Sequence, residues 1–140
     1  MKKINIIFCS LFLVFITPLK SEISFFEKGK NLFDEKKFDL AKFKFEQDIV
    51  FNPKNENSYL YLAKIYNFQK NDDQEERNLK TVILLNPKNE EAIFNLALLK
   101  IRKSNYNETK KLIKDLKVVC IDLCQKPNVL QKKLDEILKQ

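Results

Sequence analysis

Residues 52–56 read Asn-Pro-Lys-Asn-Glu, and residues 86–90 read Asn-Pro-Lys-Asn-Glu again, 34 positions later. In a chain of 140 residues with only four Pro, such a duplication at a fixed offset points to a repeated unit. The flanks carry the same period. Tyr59, Leu62 and Ala63 stand 34 places before Ile93, Leu96 and Ala97, and one step back gives Phe25, Lys28 and Gly29. Pro53 and Pro87 cannot continue a helix, and each biases the Asn before it toward extended backbone. Asn55 and Asn89 then suit the N-cap of a new helix, with acid following in its first turn. The string is a stop-and-restart device for helices.

Each unit reads as two helices. Phe25, Gly29 and Leu32 share one helical face, "DEKK" makes a polar turn, and Phe38, Ala41, Phe45 and Ile49 mark a second helix. Tyr106 opens the second helix of unit three, where unit one has Phe38. Gly29, Ala63 and Ala97 are small positions that let paired helices approach. Unit two departs from this pattern. Its stretch "NDDQEERN" (residues 71–78) has no apolar residue, so the first turns of its second helix are expected to be loose, held only later by Leu79, Val82, Ile83 and Leu85. The acid pairs Asp72–Asp73 and Glu75–Glu76 read as solvated surface. Near the C-terminus, Leu130, Leu134, Ile137 and Leu138 form one apolar stripe in a helix starting at Pro127 or Asn128.

These residues resemble the tetratricopeptide repeat, whose pattern of large, small, aromatic and Pro positions recurs over about 34 residues. Unit one carries Phe25, Gly29, Leu32, Ala41, Phe45 and Pro53; unit two Tyr59, Leu62, Ala63, Tyr66, Leu79 and Pro87; unit three Ile93, Leu96, Ala97 and Ile113. Glu75 departs from the small residue found there in the family. The resemblance implies an all-α, right-handed solenoid of three antiparallel helix pairs, at about 22–55, 56–89 and 90–125. A capping helix over 126–140 follows, since a solenoid end needs cover.

The N-terminus has a different character. Lys2 and Lys3 precede an almost wholly apolar run from Ile4 to Ile16, then Thr17, Pro18 and Ser21. This is the layout of a signal peptide over residues 1–21, with a run shorter than the roughly 20 residues of a spanning helix. Retention of residues 4–16 as a membrane anchor is the competing reading. Ser21, one period before Asn55, is the expected cap of the first helix. Loss of residues 1–21 lowers the formal charge from +7 to +4, because Lys2, Lys3 and Lys20 go and no acid goes. Nucleic acid is therefore not an expected partner. Codon bias toward Lys, Asn, Ile and Phe accounts for the basic composition.

Little in the chain suits catalysis. There is no His, which removes the usual general base near neutral pH and the Ser-His and Cys-His pairs. One Gly leaves no phosphate-cradling loop. Cys120 and Cys124 remain after export. Residues four apart on an intact helix hold their Cβ atoms roughly 5–6 Å apart, whereas a disulfide wants about 3.5–4.5 Å. A bond between them needs the helix to end or distort there; two packed thiols, or redox or metal work, stay open as alternatives.

The resemblance further implies a concave surface, lined by the first helices, that holds peptides or partner helices. In this chain that column presents Phe26, Leu60 and Phe94, then Lys30, Lys64 and Leu98, then Phe33, Asn67 and Ile101. Apolar residues hold most places where the family's carboxylate-gripping members need Lys and Asn. The expected surface is an apolar strip with a lysine flank, for an extended or helical segment of some acidic character. The functional expectation is a non-enzymatic adaptor or assembly factor in a bacterial envelope, without cofactor or metal, as monomer or homodimer. A small thiol-disulfide or metal-handling protein and a membrane-anchored spacer are the alternatives.

Overall fold

The computed structural model describes residues 24–139. The expected signal peptide or anchor, and Ser21, lie outside them. Seven helices occur among the described residues: α1 (Phe25–Asp34), α2 (Phe38–Phe51), α3 (Glu56–Phe68), α4 (Asp72–Leu85), α5 (Glu90–Arg102), α6 (Tyr106–Val119) and α7 (Lys126–Leu138). The helices α2, α4 and α6 start and stop 34 residues apart, as do α3 and α5. Neighbours pack in sequence order, α1 on α2, α2 on α3 and so on through α6, and α7 packs on both α6 and α5. The result is an all-helical solenoid with no strand among the described residues.

The starts are set by short polar side chains. Asn55, Asn71, Asn89 and Asn105 each accept a first-turn amide, from Asn57, Gln74, Ala92 and Glu108. Ser24 caps α1 by accepting from the Glu27 amide, so the first cap lies three places later than the repeat period suggests. The exceptions are α2 and α7, where Lys37 and Gln125 stand at the N-cap and make no side-chain capping bond.

Within each pair the first helix ends in a Schellman turn. Lys36, Lys70 and Ser104 adopt φ of 60°, 55° and 55°. The amides of Lys37, Asn71 and Asn105 reach back to the carbonyls of Leu32, Tyr66 and Lys100 at 2.9, 2.9 and 2.8 Å. Such left-handed positions usually carry Gly, and none of these three does.

Between pairs, buried or bridging carboxylates hold the joints. Asp48 is 1% exposed and accepts from Asn52, Asn55 and Ser58. Glu56 accepts from Asn86 and Asn89 at the next joint. Glu90, one period after Glu56, accepts the backbone amides of Ile121, Asp122 and Leu123 at 2.7, 3.2 and 2.7 Å. Burial pushes the Glu90 carboxyl up, but the three amides outweigh it and hold it below its usual range.

Apolar packing fills the rest. Phe45 and Ala41 from α2 pack with Leu62 and Ile65 from α3, while Leu79, Val82, Leu96, Leu99, Ile113 and Leu116 join Leu130 and Leu134 of α7 in a second cluster. A Cβ built on Gly29 would lie 2.7 Å from the Phe45 ring, so the small position in unit one is enforced by direct contact. The α7 helix has Pro127 in its first turn and buries Leu130 and Leu134 fully. Leu138 is half exposed, so its apolar stripe is narrower than the sequence suggests. Cys120 and Cys124 are joined by a disulfide, with Cα atoms 5.1 Å apart. The bond is geometrically open because α6 ends at Val119, before both cysteines.

Candidate functional site: the concave cleft

The first turns of α4 correct the expectation of a loose segment. Glu75 is buried at 2% exposure, and its carboxylate accepts from Asn67 of α3 at 3.0 Å and from Arg102 of α5 at 2.6 Å. Arg102 also reaches Asp72 at 3.0 Å. The next residue after Glu75, Glu76, is shared by Lys80, Lys100 and Lys103 at 2.7, 2.7 and 3.1 Å, and Lys103 also meets Asp73. Lys100 is 4% exposed and completes its pairing with Glu108 at 2.9 Å. A helix start with no apolar side chain is thus fastened to its neighbour by charge. Partial burial would raise the Glu76 carboxyl, but hydrogen bonds from Lys100, Lys80 and Lys103 outweigh it and lower its pKa to about 2. Burial would lower the Lys100 ammonium; Glu76 and Glu108 instead hold it above its ordinary value.

Glu75 and Arg102 of this network form one side of a cleft of about 460 Å³. The other surfaces are Phe33 of α1, Ala63, Lys64, Asn67 and Phe68 of α3, Leu79 of α4, and Asn95 and Leu98 of α5. The aromatic wall is well ordered by contact. Phe33 meets Tyr61 edge-on at 5.0 Å and Phe68 at 6.2 Å, and Phe68 stacks on Phe38 at 4.8 Å. Phe68 still leaves 60% of its surface exposed. Lys64 lies over the Tyr61 ring at 4.7 Å and pairs with Glu91 at 2.8 Å.

Four residues of the anticipated strip, Phe33, Lys64, Asn67 and Leu98, come together in this cleft. The other five lie elsewhere. Leu60 and Ile101 are each 5% exposed and belong to the core, which removes them from the wall. Phe26 is half-buried against Phe45 and Tyr61. Phe94 is half-buried beneath the Lys126 ammonium, 5.1 Å from its ring. Lys30 is exposed and outside the cleft lining.

Phe68, Glu75, Asn95 and Arg102 were not anticipated. Asn95 and Arg102 sit one residue beyond Phe94 and Ile101, and Phe68 one beyond Asn67. A helical side chain leans toward the preceding turn, so a given surface spot is covered by a residue about one place further along. That shift was available in the 34-residue register.

Solved structures place this architecture. The TPR domain of Arabidopsis OM64 is 20% identical to this chain at a TM-score of 0.72, covering 80% of this chain and 92% of that one. The fold is that of tetratricopeptide-repeat domains. The first TPR of Spaghetti (RPAP3), solved with an HSP90 peptide, SRMEEVD, is 20% identical at a TM-score of 0.73, covering 83% of this chain and 91% of its own. The Yersinia enterocolitica type III secretion translocator chaperone SycD reaches a TM-score of 0.76 at 13% identity, covering 85% and 90%. No protein-family model and no curated protein sequence matches the chain. The cleft is lined mainly by α3 and α5, the first helices of the second and third pairs, with Phe33 from the first helix of the first pair. Among the described residues, no group of Cys, Asp and Glu could hold a metal ion, and no helix is long and apolar enough to cross a membrane.

Proposed function

We propose that this chain is a non-enzymatic protein-interaction module that seats a peptide segment in the concave cleft, as an adaptor or assembly factor of a bacterial envelope. The observation that carries the reading is the cleft itself. Phe33, Phe68 and Leu98 offer apolar surface beside the Asn67 and Asn95 amides and the Glu75–Arg102 pair. A largely apolar trough with a few fixed polar groups is the usual composition of a ligand site. The similar structures support the reading by kind: one was solved with a bound peptide and another is a secretion chaperone. The signal-like residues 1–21 are what support the envelope location. The Cys120–Cys124 bond fits export to an oxidising compartment, where it fixes the turn into α7.

Panning a random peptide library against the full chain tests the cleft. Peptides bearing a large apolar residue are expected to be retained by the wild type and lost by Leu98→Asp, with the helical circular-dichroism spectrum unchanged. Equal retention by both proteins would remove the cleft as the binding site. Fusing residues 1–23 to a reporter active only outside the cytoplasm tests export separately.

A further inference from the structure

Val50, Leu84 and Val118 stand 34 residues apart, each the last but one residue of α2, α4 and α6. They are 75, 80 and 84% exposed. One aliphatic side chain in water is ordinary; the same position exposed in three successive units makes a row. Phe51 and Ile121 widen it at 69 and 82% exposure. The row follows the rim where second helices end and the inter-unit turns begin, the edge away from the Schellman turns.

The charge around it is mostly of one sign. Lys54 and Lys88 in the turns, and Lys114 and Lys117 on the helices, are exposed along this rim, while Lys80 is paired with Glu76. Of the nearby acids, Asp115 is paired with Lys111 at 3.3 Å, and Glu56 and Glu90 are engaged by the turns. Glu91 is paired with Lys64, and Glu27, Glu46 and Asp122 are the remaining ones. Aliphatic side chains interspersed with long cationic ones suit the boundary between acyl chains and anionic headgroups, where lysines bury their stems and keep the ammonium outside. A protein partner would favour aromatic and Arg anchors with lysine depleted.

The path of the chain agrees. Phe25, the first residue of α1, stacks on Phe51 at 5.5 Å, so the chain joins the solenoid at this rim. The apolar run 4–16 ends nine positions before Phe25. At 3.3–3.6 Å per residue that spans at most about 32 Å. A bilayer holding residues 4–16 would be tethered within that distance of Phe25, which leaves the row within its reach.

We propose that the Val50–Leu84–Val118 rim, with its lysines, is a docking surface for an anionic lipid bilayer, separate from the concave cleft. The chain has no Trp, so Leu84→Trp in the full chain gives a fluorescence signal from that position alone, whatever residues 1–23 do. Emission is expected to move to shorter wavelength with vesicles containing phosphatidylglycerol, to stay put with phosphatidylcholine alone, and to revert at high salt. Adding Lys54→Glu, Lys88→Glu and Lys117→Glu should weaken the titration at least roughly tenfold. Unmoved emission while the protein sediments with the vesicles overturns the proposal, since the N-terminal run would then be doing the binding. A shift that needs no lipid and grows with protein concentration also overturns it, in favour of a second copy of the chain on the row.

Discussion

The Arg102 guanidinium of α5 donates to the buried Glu75 carboxylate of α4 across 2.6 Å, joining unit three to a helix turn that has no apolar side chain of its own. Removing one partner leaves the other charge in place. Arg102→Ala is expected to cost about 2 kcal/mol in urea unfolding, less than a fully buried pair because the Arg side chain is 41% exposed. The double change Glu75→Leu with Arg102→Leu should recover most of that loss. A double variant as unstable as the sum of the singles would show that the two residues do not act as a pair.

Acid should loosen the same region through Glu76. Its folded pKa of about 2 lies below the ordinary 4.5, so its contribution is complete above about pH 4.5 and is lost as pH falls through 2. Glu76→Gln is expected to cost on the order of 2 kcal/mol at pH 7 and almost nothing near pH 2. Unfolding curves for both proteins between pH 2 and 7 read this directly; parallel curves would mean that Glu76 is not the titrating group.

Gly29→Ala sets helix propensity against space. Alanine in a helix interior gains about 1 kcal/mol over glycine, but its Cβ would fall 2.7 Å from the fully buried Phe45 ring. Overpacking of that kind costs about 1–3 kcal/mol, so net destabilisation of about 1 kcal/mol is expected. Gly29→Ala with Phe45→Leu should be less affected than Phe45→Leu alone. Thermal melts of the four proteins give the cycle.

The repeat also shows where the chain falls short of its own pattern. Asn71 and Asn105 cap α4 and α6, yet Lys37 holds the matching place before α2 without an acceptor. Lys37→Asn is expected to stabilise by about 1 kcal/mol. Lys70→Gly should gain a similar ~1 kcal/mol by removing the Cβ from a left-handed backbone at φ 55°. Chemical denaturation measures both, and a loss on Lys37→Asn would show that its side chain does not reach the α2 amides.

The helical pairs and their boundaries were legible because Pro53, Pro87, Asn55 and Asn89 act locally, within a turn of where they stand in sequence. Gly29 was legible for the same reason, through its register with Ala63 and Ala97. The charged joints were not. Glu75 and Arg102 are 27 residues apart, Glu56 and Asn89 are 33 apart, and each looks like solvated surface until the helices are stacked. Nothing local announces that Asp48 will be enclosed by Asn52, Asn55 and Ser58. The cleft lining was partly legible: spacing alone finds Phe33, Lys64, Asn67 and Leu98, and side-chain lean added to spacing puts Asn95 in place of Phe94, Arg102 in place of Ile101, and Phe68 beside Asn67.

The Glu56 and Glu90 clasps have an evolutionary corollary. Each fastens a helix start to the next inter-unit turn and asks nothing of more distant parts. Splicing in or deleting a whole 34-residue module at Asn89 would leave each of these clasps with a counterpart, whereas the Glu75–Arg102 and Glu76–Lys100 pairs belong to one joint alone, so a change in the length of the array in whole steps keeps the clasps and must rebuild only those pairs.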